Sequence, residues 1–127
     1  VIMAAGTLVS SGSSGSMPTG SGSERLCRAS IHGLDADWQE ILSGDPGHIY
    51  TIISIIFCDQ ENASGTINIK VNDGTNDIHL LADQTTGARE TFVFSDRFVI
   101  EENDDIDVYN STDDGDWYIS YIDQDWT

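Results

Sequence analysis

Thr66-Ile67-Asn68-Ile69-Lys70-Val71-Asn72 alternates polar and apolar residues without a break, and Asn72-Asp73-Gly74 ends the run. Nothing else constrains the chain as strongly. A period of two sends successive side chains to opposite faces of a strand, so Ile67, Ile69 and Val71 line one face. Asn, Asp and Gly tolerate the positive φ of a tight turn, so a reversal is expected directly afterwards. The same pattern recurs downstream. Ile78–Leu81, Thr91–Phe94, Arg97–Ile100 and Ile106–Tyr109 read as strands, with Ser95-Asp96 separating two of them. Trp117–Ile122 places Trp117, Ile119 and Tyr121 on one face, and Tyr118 and Ile122 on the other.

Upstream, Arg25–Ile31 and Trp38–Leu42 are strand candidates, and Tyr50–Cys58 is apolar on both faces. Apolar residues on both faces mark a strand covered on both sides, inside a sandwich or at a subunit contact. Gly44–Gly47 and Glu61–Gly65 read as loops. About eight short strands between turns, with no helical periodicity, predict an all-β fold. The expected form is a single antiparallel β-sandwich of the jelly-roll or Ig-like kind.

Residues 10–23 read SSGSSGSMPTGSGS, behind an apolar tip, VIMAAGTLV. A Gly/Ser tract buries too little apolar surface to offset its own ordering entropy. The expected division is therefore an extended N-terminal arm over residues 1–23 and a sandwich over 24–127, within one domain. At roughly 3.3 Å per residue the arm spans up to about 75 Å. It reaches a neighbour, with Ile2, Met3, Leu8 and Val9 as contacts. Strand addition to that neighbour would draw on main-chain hydrogen bonds and ask little of the side chains. Trp126, close to the end of the chain, is a further partner contact, with packing on its own domain as the alternative.

The net charge of −17 repels nucleic acid phosphates and anionic lipid surfaces, so neither is an expected partner. Solubility accounts for such a surface, and so does a high-salt source, where screening makes dense negative charge tolerable. No run is long and apolar enough to cross a membrane as a helix. The first positive charge is Arg25, so the N-terminal residues do not read as a signal peptide. Cys27 and Cys58 both lie in apolar runs; buried free thiols are the default, and one disulfide is the alternative.

Signatures of catalysis are missing. No G-x-S-x-G elbow occurs, Gly20-Ser21-Gly22 lacks the third glycine of a dinucleotide loop, and neither cysteine has a basic setting. The chain therefore reads as a non-enzyme without a cofactor. Asp113, Asp114 and Asp116 around Gly115 are candidate Ca²⁺ ligands, but the spacing departs from an EF-hand and favours a solvated acidic turn. His32, Asp35 and Asp37 form a second small group, read as surface residues rather than a metal site. Asn62-Ala63-Ser64 and Asn110-Ser111-Thr112 are formal glycosylation sequons.

Three stretches, EILSGDPGHIYTIISIIFCDQENASGTINIKV, LLADQTTGARETFVFSDRFVIEENDDIDV and WYISYI, carry a family pattern over roughly residues 39–123. A Pro/Gly turn leads into an Ile-rich strand ending in Cys. An x-I-x-I-x-V strand, an aromatic strand, a V-I-E-x-x-D segment and a final x-I-S-Y-I strand follow. The pattern resembles small β-sandwich virion proteins of tailed bacteriophages. That resemblance implies a structural role in capsid decoration or cementing, or at the neck or tail. It also implies other virion proteins as partners and a homo-oligomer, for example a trimer. The rival expectation is a glycan- or receptor-recognition module using loop Asp and Trp residues, with or without Ca²⁺.

Overall fold

In the computed structural model the described residues are 23–127. The contacts expected of Ile2, Met3, Leu8 and Val9 lie outside them. Nine strands occur among the described residues: β1 Ser23–Leu34, β2 Trp38–Ser43, β3 His48–Asp59, β4 Gly65–Asn72, β5 Asp77–Thr86, β6 Thr91–Phe94, β7 Phe98–Ile100, β8 Asp105–Asn110 and β9 Gly115–Asp125. One sheet has the order β1-β9-β3, with β6 and β7 both on the far side of β3; the other has the order β2-β8-β4-β5. All the pairings are antiparallel. Treated as one interrupted strand, β6 and β7 make this an eight-stranded jelly roll.

The interruption has a physical cause. Phe94 and Phe98 both pack against the core, so an unbroken strand would also turn Asp96 inward. A carboxylate in that position would be buried without a partner, at a cost of several kcal/mol. The chain instead opens at residues 95–97, opposite an irregularity in β3 between Ile52 and Ser54. Ile52 pairs with Phe98 and Ile55 with Phe94, so three steps along β3 face four along the edge. The bulge lets both Ile52 and Ile55 face inward.

The core is the layer between the sheets. Ile52, Ile55, Phe57, Ile100, Trp117 and Ile119 come from the five-stranded sheet, and Ile67, Ile69, Val71, Ile106 and Val108 from the other. The alternation of β4, β8 and β9 read from the sequence is thus the alternation of the fold. The Phe57 and Trp117 rings lie 4.7 Å apart in a tilted arrangement. Tyr50–Cys58 differs from expectation. Its inner face is buried, but Ile53, Ile56 and Cys58 on the remaining positions are only half-buried.

One buried polar side chain joins the layers. Asn110, fully buried on β8, accepts a hydrogen bond from Trp117 Nε1 at 3.0 Å. Its own amide donates to the carbonyls of Leu34 at 3.0 Å and Thr112 at 2.7 Å. Gly115 opens β9 beside it because a Cβ there would stand 2.6 Å from Phe57 and 2.8 Å from the Asn110 side chain. Asn110→Ala strands a buried indole N–H and two carbonyls, each worth about 1–3 kcal/mol. Chemical denaturation should show a loss of about 3 kcal/mol or more, and a loss below about 1 kcal/mol would contradict the role given to Asn110.

Candidate docking surface

The two outward faces of the sandwich differ in chemistry. On the five-stranded sheet, directly paired residues share a face, and one outward row reads Leu26, Ile122, Thr51, Val99. A second reads Ser30, Tyr118, Ile56, Val93. Between them lies Arg28, Ser120, Ser54. Leu26 is 78% exposed and Val93 and Val99 are each 53% exposed. These three rows hold no acidic residue in a chain of net charge −17. Their single cation, Arg28, lies 5.7 Å over the Tyr118 ring. Water therefore meets two rows rich in aliphatic and aromatic side chains, separated by the polar row of Arg28, Ser120 and Ser54, and exposed apolar surface of this kind marks an interaction site.

The four-stranded sheet presents the opposite. Its outward rows read Glu40, Asp107, Lys70, His79 and Ser43, Asp105, Asn72, Asp77. Lys70, the only lysine, sits 3.3 Å from Asp77 and 4.2 Å over the Trp38 ring. Partial burial, with the neighbouring carboxylates of Asp105 and Asp107, holds the Glu40 carboxyl above its ordinary range. Burial likewise raises Asp107, partly offset by Lys70.

The edges also differ. β1 pairs with β9 in unbroken register from Ser23 to Ile31, and no strand among the described residues covers its other side. The opposite edge is broken between β6 and β7. β2 is only six residues long. β5 carries two irregularities and a positive φ at Asp83, whose N–H donates to Asn68 Oδ1. Short, bulged and interrupted edges resist strand addition, whereas a long regular one accepts it. β1 is the regular edge.

The residues singled out in the sequence are scattered. His32 Nδ1 lies 3.0 Å from Asp116, not beside Asp35 or Asp37, and Asp116 also accepts the Gly33 N–H and a Gln60 amide hydrogen. Asp113 donates its N–H to Glu61, and the Asp114 carbonyl accepts from Gln60. This turn is therefore stitched by its own hydrogen bonds. Among the described residues no three His, Cys, Asp or Glu side chains gather in a way that would hold a metal. Beneath the turn, Asp59 is 1% exposed; one of its oxygens accepts the Glu61 N–H and the other has no partner. Cys27 pairs in register with the inward Tyr121, and Cys58 pairs with Asp116 at the other end of the sheet; both thiols are free.

Trp126 is 56% exposed; its N–H donates to the Gly47 carbonyl. It lines an open cleft of about 580 Å³ with His48, Asp73, Glu101, Glu102 and Asp104. Next to that cleft is a cluster that sequence reading missed. His48 Nδ1 donates to Asp123 at 2.7 Å, and Arg25 reaches the other Asp123 oxygen at 3.3 Å. Asp45 and Asp125 lie 3.4 and 3.7 Å from His48 Nε2. Only the tertiary pairing of β1, β3 and β9 brings these residues together.

No family model and no curated protein matches the chain. Among solved structures it is similar to a chain of the Bacillus endospore appendages, described as a family of disulfide-linked pili. The TM-score is 0.47 at 15% identity, covering 95% of this chain and 100% of that one. A likeness of that size says nothing about what this chain binds.

His48 and Asp59 are each open to a direct test. The Asp123 hydrogen bond, then the charges of Asp123, Asp125 and Asp45, raise the pKa of His48, against an opposing effect of burial. A raised folded pKa stabilises fully below the ordinary value near 6.5 and is lost as pH rises through the folded value. Melting temperature should fall between pH 6 and 9, and His48→Gln should flatten that slope; an unchanged slope would contradict the pairing. Asp59→Ala removes the acceptor of the Glu61 N–H, so denaturant unfolding should show a loss of about 1 kcal/mol, and an unchanged stability would contradict the role of that bond.

Proposed function

We propose that the chain is a structural assembly module, a non-enzymatic virion component of a tailed bacteriophage that decorates or cements the capsid or joins neck and tail parts. The observation that carries the assembly half of this reading is the pair of exposed apolar rows, free of acidic residues, on the outward face of the five-stranded sheet, set against the acidic face of the other sheet. A surface that costs solubility is retained where a partner covers it. The virion setting rests on the strand and turn pattern shared with phage β-sandwich proteins. In this reading the sandwich is the rigid body and residues 1–22 form the connector. Several copies would cluster symmetrically.

Deletion of residues 1–22 should leave the melting temperature of the sandwich within a few degrees of the full chain and abolish incorporation into particles. The deletion stops short of β1, which begins at Ser23. Normal incorporation of the shortened chain, read by gel analysis of purified particles, would overturn the connector role.

A second reading, recognition of a glycan or receptor, is favoured by the Trp126 cleft, where an exposed indole faces Asp and Glu side chains that can accept hydroxyl hydrogens. Trp126→Ala separates the two. Lost glycan-array binding with intact incorporation would favour recognition; unchanged binding on both counts would remove this cleft from either role.

A further inference from the structure

The apolar face identifies its own occupant. We propose that it seats the apolar tip Val1–Val9 of a neighbouring copy, so that copies link tip to face. This inference rests on the assembly reading and names the partner within it.

Size decides first between a second sandwich and a single segment. The patch formed by Leu26, Ile56, Val93, Val99, Tyr118 and Ile122, with Arg28, Ser120 and Ser54 across its middle, spans four strands in width. Its height is the four residues between the Leu26 and Ser30 rows. At about 4.8 Å between strands and about 3.3 Å per residue, side chains included, that is about 300–400 Å². A stable face-to-face pair of globular surfaces needs about 800 Å² from each partner. The patch is too small for a second sandwich. An extended segment crosses the roughly 19 Å of four strands with about six of its residues, so the nine-residue tip covers the patch and overhangs it.

Charge decides which segment. Residues 1–23 carry no charge, so the whole net charge of −17 belongs to residues 24–127. Within them the loops and turns are dense in Asp and Glu, and burying any of these against Leu26 and Val99 would cost several kcal/mol without a compensating partner. VIMAAGTLV is the one stretch outside the described sandwich that is apolar and uncharged.

Length decides between the same copy and the next. A return onto its own sheet would take no more than a short connection, about 2–5 residues in most hairpins. The chain instead places residues 10–22 between the tip and β1. Extended, these reach about 43 Å, which is close to the roughly 40 Å length of the 12-residue β1 itself. β1 runs away from Ser23 along the sheet. A spacer of that reach is longer than a return needs and long enough for the tip to meet the face of another copy.

The test is complementation with full-length chains. One variant spoils the face, Val99→Asp, with Leu26→Lys as a second version should the first fail to fold; both positions are more than half exposed. The other spoils the tip, Leu8→Asp. Sedimentation velocity should show concentration-dependent association of the wild type, weakened about tenfold or more in each variant alone. An equimolar mixture of the two should form one-to-one pairs, because an intact tip meets an intact face only across copies. A monomeric wild type, or association in the wild type that neither variant weakens, would overturn the inference. So would a mixture that stays monomeric. If the wild type is monomeric and Leu8→Asp nevertheless prevents incorporation into particles, the tip docks on a different virion protein, and the assembly reading stands without this partner.

Discussion

Asn110 is the constraint on which the sandwich depends. Two sheets held together only by aliphatic contact have no unique sliding position, since Ile against Ile is tolerant of small shifts. A fully buried amide removes that freedom. Its oxygen must meet Trp117 Nε1 on one sheet, and its nitrogen must meet the carbonyls of Leu34 and Thr112. Any other stacking would leave up to four buried polar groups unpaired. The end of β1, the turn after β8 and the first core residue of β9 are therefore fixed at one point, and the outward faces inherit their positions from it.

From that frame follows the difference between the two outer surfaces. The same alternation that fills the core also decides what is turned out. On β4 and β8 the outward positions are Asn68, Lys70 and Asn72, and Asp105, Asp107 and Tyr109. On β9 and β3 they include Tyr118, Ile122 and Ile56. Charge spread over the first surface keeps it hydrated and discourages association through like-charge repulsion. The second surface lacks that protection and lies next to the regular β1 edge. In the assembly proposed above, that difference between the faces would orient the subunit.

Much of this was legible in the chain. β4, β8 and β9 were readable because one of their faces is buried and the other wet, so the apolar period is exposed in the sequence. Other parts were not. β5 runs on to Thr86 through Ala82-Asp83-Gln84-Thr85, which have no apolar period; main-chain bonds to β4 hold that stretch. The apolar residues on both faces of β3 suggested a covered strand, yet those on its outer positions stay half-exposed, because nothing in the described residues lies over them. The cluster of His48, Asp123 and Arg25 had no local signal at all, since its members are separated by up to 98 positions.

The sequence by itself determined the elements: strands by their period, turns by Asn, Asp, Gly and Pro, and an acidic, Gly/Ser-led chain by composition. These are local properties, written in neighbouring residues. Only the tertiary structure decided which strands meet and so which outward residues share a face. Leu26, Ile122 and Val99 are far apart in the chain and become one row solely through the order β1-β9-β3-β7. Register is an energy of many long-range pairs at once, set by core packing and the Asn110 hydrogen bonds, and no single stretch of residues encodes it.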